Sequence, residues 1–262
     1  MLGIFDSGLG GLTVVRALKR LRPDLPIVYL ADTARFPYGG KGPETIRRYA
    51  HEAVTFLKDQ GAKAIIIACN TVSANATDQL RATFPQLPIF EVITPAVEAA
   101  ARATVNGHVG VIATRATIAS GVYEKRLKEK SPRLTVFSQP APLLVSLVEE
   151  GWLDTPVTGA IIEKYLAPLR HAEVDTLILG CTHYPLLKPS IAALAGERMR
   201  LIDSAEATAE VFCATIEHDK ALSAAVFSAG EARFYATDPT PTFAEVGSQW
   251  LGQKITVHKA TL

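Results

Sequence analysis

Two cysteines, Cys69 and Cys181, hold matching places in two similar stretches of this 262-residue chain. The first stretch is Ile65-Ile66-Ile67-Ala68-Cys69-Asn70-Thr71. The second is Leu177-Ile178-Leu179-Gly180-Cys181-Thr182-His183. Each is an apolar, strand-forming run closed by a small residue, a cysteine and hydrogen-bonding side chains. The stretches lie nearly half the chain apart, so two equivalent half-structures would each bring one thiol to their interface. Opposed thiols could take a proton from one face of a carbon and return one to the other. That is cofactor-free inversion of a stereocentre.

Other reactive side chains fall at further predicted strand ends. Asp6-Ser7 leads into Gly8-Leu9-Gly10-Gly11, where glycines allow close backbone approach to a ligand. The spacing is not that of a dinucleotide-binding loop, and no phosphate-binding Gly-Lys-Ser/Thr follows. Asp6 by itself could equally cap the next helix. Asp32-Thr33 with Pro37-Tyr38-Gly39 forms another polar patch, and Thr114 with Thr117 a further one. His183, two residues beyond Cys181, could orient a substrate or exchange protons with it, or could only satisfy backbone groups. Glu149, at a helix end, reads alone as a solvated charge. Cys213, in an apolar helical run without polar neighbours, reads as a core residue.

The residues after Cys69 and Cys181 are suited to open helices. Free N–H groups and the positive dipole end there would draw a thiol pKa down toward neutrality and offer donors to a carboxylate.

Alternating strands and helices must position these groups. Predicted strands in the first half are Leu2–Phe5, Pro26–Leu30, Ala64–Ala68 and Ile89–Val92, with helical spacing over Leu12–Leu21 and Thr45–Leu57. Ile46, Ala50, Ala53, Val54 and Leu57 share one helix face, and Gly61 is placed to stop that helix. The second half repeats the order with Val109–Ile112, Leu134–Phe137, Thr176–Leu179 and Arg200–Ile202. The Phe5-Asp6-Ser7 end corresponds to Ile112-Ala113-Thr114. Such alternation predicts right-handed βαβ units and mainly parallel sheets, with ligands beyond the strands' carboxyl ends.

The expected fold is therefore α/β. It consists of two pseudo-symmetric flavodoxin-like domains with mainly parallel sheets facing across a cleft. A helix over Glu206–Glu217 and strands over Ala232–Thr237 and Ile255–His258 are expected to return to the first domain. That gives residues 1–94 plus 207–262 for the Cys69 domain and 95–206 for the Cys181 domain.

Composition bounds the function. Basic and acidic residues nearly balance, 27 against 26, with no basic run, which excludes a nucleic-acid footprint. No apolar stretch is long enough to span a bilayer and no signal peptide is visible, so a cytoplasmic location is expected. Three cysteines without a Cys-x-x-Cys pair suggest neither a disulfide framework nor a zinc site.

Taken together, the motifs resemble the glutamate racemases of the aspartate/glutamate racemase superfamily. The matching segments are Gly3 to Val14, Asp32 to Gly39, Ala68-Cys69-Asn70-Thr71 and Leu179 to Leu187. Weaker matches are Ala113 to Thr117 and Ile202-Asp203-Ser204. The similarity runs from residue 3 to about residue 237. Ala31 and Ala205 stand where the family usually has glycine. Aspartate racemases usually carry Glu where His183 stands.

The resemblance implies interconversion of L- and D-glutamate without cofactor or metal, supplying D-glutamate for peptidoglycan. It implies Cys69 and Cys181 as the acid/base pair, with Asp6 and His183 assisting the nearest thiol and Glu149 supporting His183. Asp6, Ser7, Tyr38, Gly39, Asn70, Thr71, Thr182 and His183 would bind glutamate, with Thr114 and Thr117 as lesser contacts. It also implies a homodimer. The competing readings are a related enzyme acting on aspartate or hydantoin or decarboxylating its substrate, a non-catalytic binding protein, and a redox dithiol protein.

Overall fold

In the computed structural model, which describes residues 1–228 and 230–262, short apolar runs form strands at nearly every predicted place. They are β1 (Leu2–Asp6), β2 (Ile27–Ala31), β3 (Ala64–Ile67), β4 (Ile89–Glu91), β5 (His108–Ala113), β6 (Thr135–Pro140), β7 (Thr176–Gly180), β8 (Arg200–Asp203), β9 (Arg233–Ala236) and β10 (Val257–Lys259). One sheet has the order β10-β9-β2-β1-β3-β4 and the other β6-β5-β7-β8. Every neighbouring pair among the described residues is parallel. The order β2-β1-β3-β4 recurs as β6-β5-β7-β8, so the halves repeat in topology as well as in sequence.

Parallel strands linked by helical crossovers are covered on both faces, which is why they read as unbroken apolar runs rather than alternating ones. Along β1, Leu2 and Ile4 enter one core with Leu12, Val15 and Leu18 of the helix Leu12–Leu21. Phe5 enters the opposite core with Ile46, Ala50 and Val54 of the helix Pro43–Asp59. Burying a side chain such as Leu18 contributes about 1.5–3 kcal/mol. Gly61, at φ +90°, follows the second of these helices in the left-handed conformation that glycine adopts without strain. In the second half, Leu177 and Leu179 pack on one face of the sheet and Val109, Val111 and Ile178 on the other.

One feature differs from the sequence expectation. β6 runs on to Pro140, pairing with β5 along its length, although Ser138 and Gln139 interrupt its apolar pattern. It is an edge strand, so polar side chains there do not have to enter a core. As expected, the carboxyl-terminal strands β9 and β10 return to the first sheet, extending it beyond β2. The helices Ser204–His218 and Pro241–Leu251 pack on the helix Leu12–Leu21. Cys213 lies in that core, away from either strand-end cysteine.

Close approach at two glycines joins the halves. A β-carbon on Gly10 would lie 2.3 Å from Thr182 Oγ1 and 2.6 Å from His183 ring atoms. One on Gly39 would lie 2.8 Å from Thr114 Cβ. Gly39 O accepts the Ala116 N–H at 3.0 Å, and Thr13 Oγ1 donates to Thr182 O at 3.1 Å.

Candidate active site

The carboxyl ends of β1, β3, β5 and β7 surround a cavity of about 560 Å³, within the range of small-molecule sites. Both Cys69 and Cys181 line it. So do Ser7, Tyr38, Gly39, Asn70, Thr71, Thr114, Glu149, Thr182 and His183. Asp6 and Thr117 stand behind this lining, each fully buried. The sequence did not single out Phe36, Leu143, Ser146 or Tyr165, which also form the wall. Their signal is weak because aromatic and apolar residues on loops and helix ends resemble ordinary packing. A hollow of about 610 Å³ elsewhere, between the helices Pro43–Asp59 and Asn70–Thr83, carries Arg47, Arg48 and Arg126 but neither strand-end cysteine.

On the β3 side, Cys69 is the residue from which the helix Asn70–Thr83 starts. Its Sγ lies 3.7 Å from Ser7 Oγ. Beneath it, Asp6 Oδ2 accepts the backbone N–H groups of Gly8 and Gly11, each at 3.0 Å, while Oδ1 is buried without a partner. Gly11 needs to be small because a β-carbon there would lie 2.4 Å from Asp6 Cβ. Tyr29, whose hydroxyl donates to Gly8 O at 2.6 Å, holds the same loop from below.

Burial pushes the Cys69 thiol up to about 12, and the neighbouring Asp6 charge adds to the rise. The helix N–H of Val72 and the Ser7 hydroxyl pull the other way and are outweighed. The drop toward neutrality expected for Cys69 is thus overturned at this buried position: a helix N-terminus offers partial charge, and desolvation costs more. Burial also raises Asp6, against the lowering influence of His183 and the Gly8 and Gly11 N–H groups. Asp6 and Cys69 therefore disfavour negative charge on one another.

The β7 side is built differently. No α-helix opens at Cys181. A turn over Thr182 and His183 leads into a 3₁₀ helix, Tyr184–Leu187, and only then into the helix Lys188–Ala195. Pro185 enters the first turn, where its missing N–H costs nothing. In place of a helix dipole stands a charge chain. Cys181 Sγ lies 3.8 Å from His183 Nδ1, and His183 Nε2 lies 2.5 Å from Glu149 Oε1. Glu149 ends the helix Leu143–Glu149, and its carboxylate is therefore the partner of a buried imidazole rather than a solvated charge. Burial, the largest influence on His183, opposes its charging, but Cys181 and Glu149 together outweigh it. They push the imidazole up to about 10.

The remaining candidates form two walls. Tyr38 donates its hydroxyl to Asp32, whose carboxylate also takes Arg35 Nε at 2.6 Å and Thr237 Oγ1 at 2.9 Å. Asp32 thereby anchors Tyr38 from behind, leaving the tyrosine's ring and main chain for the cavity. Opposite, the hydroxyls of Thr71, Thr114 and Thr117 form a triangle, with Thr71–Thr114 at 2.9 Å and Thr114–Thr117 at 3.0 Å. Asn70 Oδ1 is held by the Tyr123 hydroxyl, and Asn70 Nδ2 is buried without a partner. The arrangement offers two sulfurs able to carry a proton and a surround of hydroxyl and amide groups suited to carboxylates. Among the described residues no group of three or more His, Cys, Asp or Glu side chains gathers to hold a metal ion.

Comparison with known proteins agrees with this geometry. Residues 12–212 match the family described as Asp/Glu/Hydantoin racemase. The glutamate racemase of Geobacter metallireducens is 43% identical over 254 residues, covering 97% of this chain and 93% of its own. A crystal structure of a glutamate racemase isoform from Bacillus anthracis superposes with a TM-score of 0.93 at 37% identity, covering 100% of this chain and 97% of the other. That of the Francisella tularensis glutamate racemase, in complex with D-glutamate, superposes with a TM-score of 0.90 at 37% identity, covering 99% and 97%.

Proposed function

The chain belongs to the Asp/Glu/hydantoin racemase family and within it to the glutamate racemases, and from that premise we propose that it interconverts L- and D-glutamate by a two-cysteine mechanism. The observation that carries the reading is that Cys69 and Cys181, from equivalent strand ends of two sheets, line one cavity.

One cysteine, as thiolate, takes the substrate's α-proton and becomes a thiol. The other, as thiol, gives its proton to the opposite face of the α-carbon and becomes a thiolate. Charge and protons balance, and the two sulfurs have exchanged states. Cys69, pushed up to about 12, is suited to the donor role in the resting cavity. Asp6 sits beneath it to take or return the proton. His183, favoured in its charged form by Cys181 and Glu149 together, is suited to exchange a proton with Cys181. Ser7, Tyr38, Gly39, Asn70, Thr71, Thr114 and Thr182 bind the carboxylates and amine, with Thr117 bracing Thr114. Excluding water from such a site strengthens each of these interactions.

The reading extends to a cytoplasmic homodimer that supplies D-glutamate for peptidoglycan, with domains of residues 1–94 plus 207–262 and 95–206. No helix among the described residues is long and apolar enough to cross a membrane.

Incubation with L-glutamate in D₂O tests the reading. Racemisation through α-proton abstraction gives loss of the circular dichroism signal together with α-deuteration. Full racemisation by both Cys69→Ala and Cys181→Ala would sink it.

A further inference from the structure

One buried side chain touches both cysteine-bearing strand ends and has so far had no task. Tyr123 lies in the helix Val122–Lys130, a highly charged segment whose buried residues are Tyr123 and Leu127. The tyrosine is almost wholly buried. Its ring fills the space beside Gly180, where a β-carbon would lie 3.2 Å from Tyr123 Cε2. Gly180 immediately precedes Cys181, and its counterpart before Cys69 is Ala68; a methyl at Gly180 would press on Ile112 O at 2.9 Å as well as on the ring. The hydroxyl crosses to the other half and donates to Asn70 Oδ1 at 2.6 Å, next to Cys69.

A side-chain amide can present either its oxygen or its nitrogen to a given neighbour, and the hydrogen-bond network decides which. Here the phenol donates to the amide oxygen, which turns Nδ2 away from it. Burial and the nearby Glu91 push the Tyr123 phenol well above its ordinary range, so it keeps the proton that it donates. Asn70 Nδ2 is then left buried and unpartnered on a residue that lines the cavity. An orphaned buried donor is costly, and a ligand carboxylate would satisfy it. One turn along the same helix, Arg126 Nη1 lies 2.6 Å from the Glu91 carboxylate at the end of β4. That ion pair holds the helix against the first sheet and prevents Tyr123 from swinging away.

We propose that Tyr123 is a positioning residue: it fixes the Asn70 amide with Nδ2 free at the cavity wall as a donor to a substrate carboxylate. The proposal rests on the glutamate reading above and adds to it how one of the binding donors is oriented.

A double-mutant cycle tests it. Tyr123→Phe removes the hydroxyl and keeps the ring against Gly180. Loss of orientation weakens ground state and transition state alike, so KM for glutamate should rise about tenfold, the scale of one hydrogen bond to a charged group, with kcat changing less than about twofold. In an Asn70→Ala background the same change should have no further effect on KM, or on the Kd for D-glutamate by titration calorimetry where turnover is slow. Unchanged KM in Tyr123→Phe would overturn the proposal. So would a penalty of the same size with Asn70 already removed, which is what a merely structural role gives. A wild-type chain unable to racemise glutamate would overturn the functional reading and this proposal with it; a racemising wild type with either of the previous results overturns the proposal alone.

Discussion

The Cys69 and Cys181 sides share strand order, register of the cysteine and a following polar residue, yet they surround the sulfur with different groups. Cys69 starts a true α-helix and sits over Asp6, an acid whose own ionisation is disfavoured by burial. Cys181 precedes a turn and a 3₁₀ helix and sits beside an imidazole that Cys181 and Glu149 together favour in its charged form. The first side holds its proton on acids that resist losing it. The second holds positive charge beside sulfur. Duplication thus brings two equivalent strand ends to one cavity, and local substitution gives them unlike partners, which suits the proposed pairing of one thiol with one thiolate.

The comparison breaks most visibly if the two partners are removed in turn. His183→Asn should reduce turnover by about 10²–10⁴-fold, the usual worth of a general acid–base group, and more in the direction that uses Cys181 as base. Asp6→Asn should favour the opposite direction in its defect. Separate measurement of kcat/KM from L- and from D-glutamate checks this, and equal defects in both directions for both variants would erase the distinction.

A smaller effect concerns pH. His183 is raised in the folded protein from 6.5 to about 10. Its contribution to stability is therefore complete below about 6.5 and fades as pH climbs through about 10. Glu149→Gln removes a cause of that rise. The difference in melting temperature between wild type and Glu149→Gln should be widest near or below pH 6.5 and close toward pH 10. A difference that grows with pH would show that Glu149 does not hold the proton on His183. The basic limb of kcat/KM should also move down in this variant.

The smallest effect concerns the seam between halves. Thr13→Val removes the hydrogen bond to Thr182 O and should cost about 1 kcal/mol in denaturant unfolding. Gly10→Ala should cost about 1–3 kcal/mol, since its methyl would press on Thr182 and His183. It should also affect turnover through His183 more than Thr13→Val does.

The duplication was legible because strands covered on both faces must be apolar throughout, and β3 and β7 announce themselves in Ile65-Ile66-Ile67 and Leu177-Ile178-Leu179. The polar groups at their ends then converge, as parallel sheets require. The end of β6 was hidden because an edge strand tolerates Ser138 and Gln139. The thiol environment at Cys69 was misjudged because spacing reveals a helix start but not the desolvation that opposes it. Asp6 and Thr117 were read as contacts, yet they stand one layer behind the cavity wall. That depth depends on Gly8, Gly11 and Thr114, and only three-dimensional packing shows it. Tyr123 gave little signal, being one aromatic residue in a charged helix far from either cysteine in sequence.

The most direct test of a two-base exchange follows the label during the first turnovers in D₂O. L-glutamate is supplied with hydrogen at the α-carbon, and both enantiomers are separated before appreciable reversal. Two cysteines acting from opposite faces should give D-glutamate carrying α-deuterium while the recovered L-glutamate keeps its hydrogen. D-glutamate that retains the substrate's own α-hydrogen would mean that one base carries the proton between faces, and would contradict the division of labour between Cys69 and Cys181.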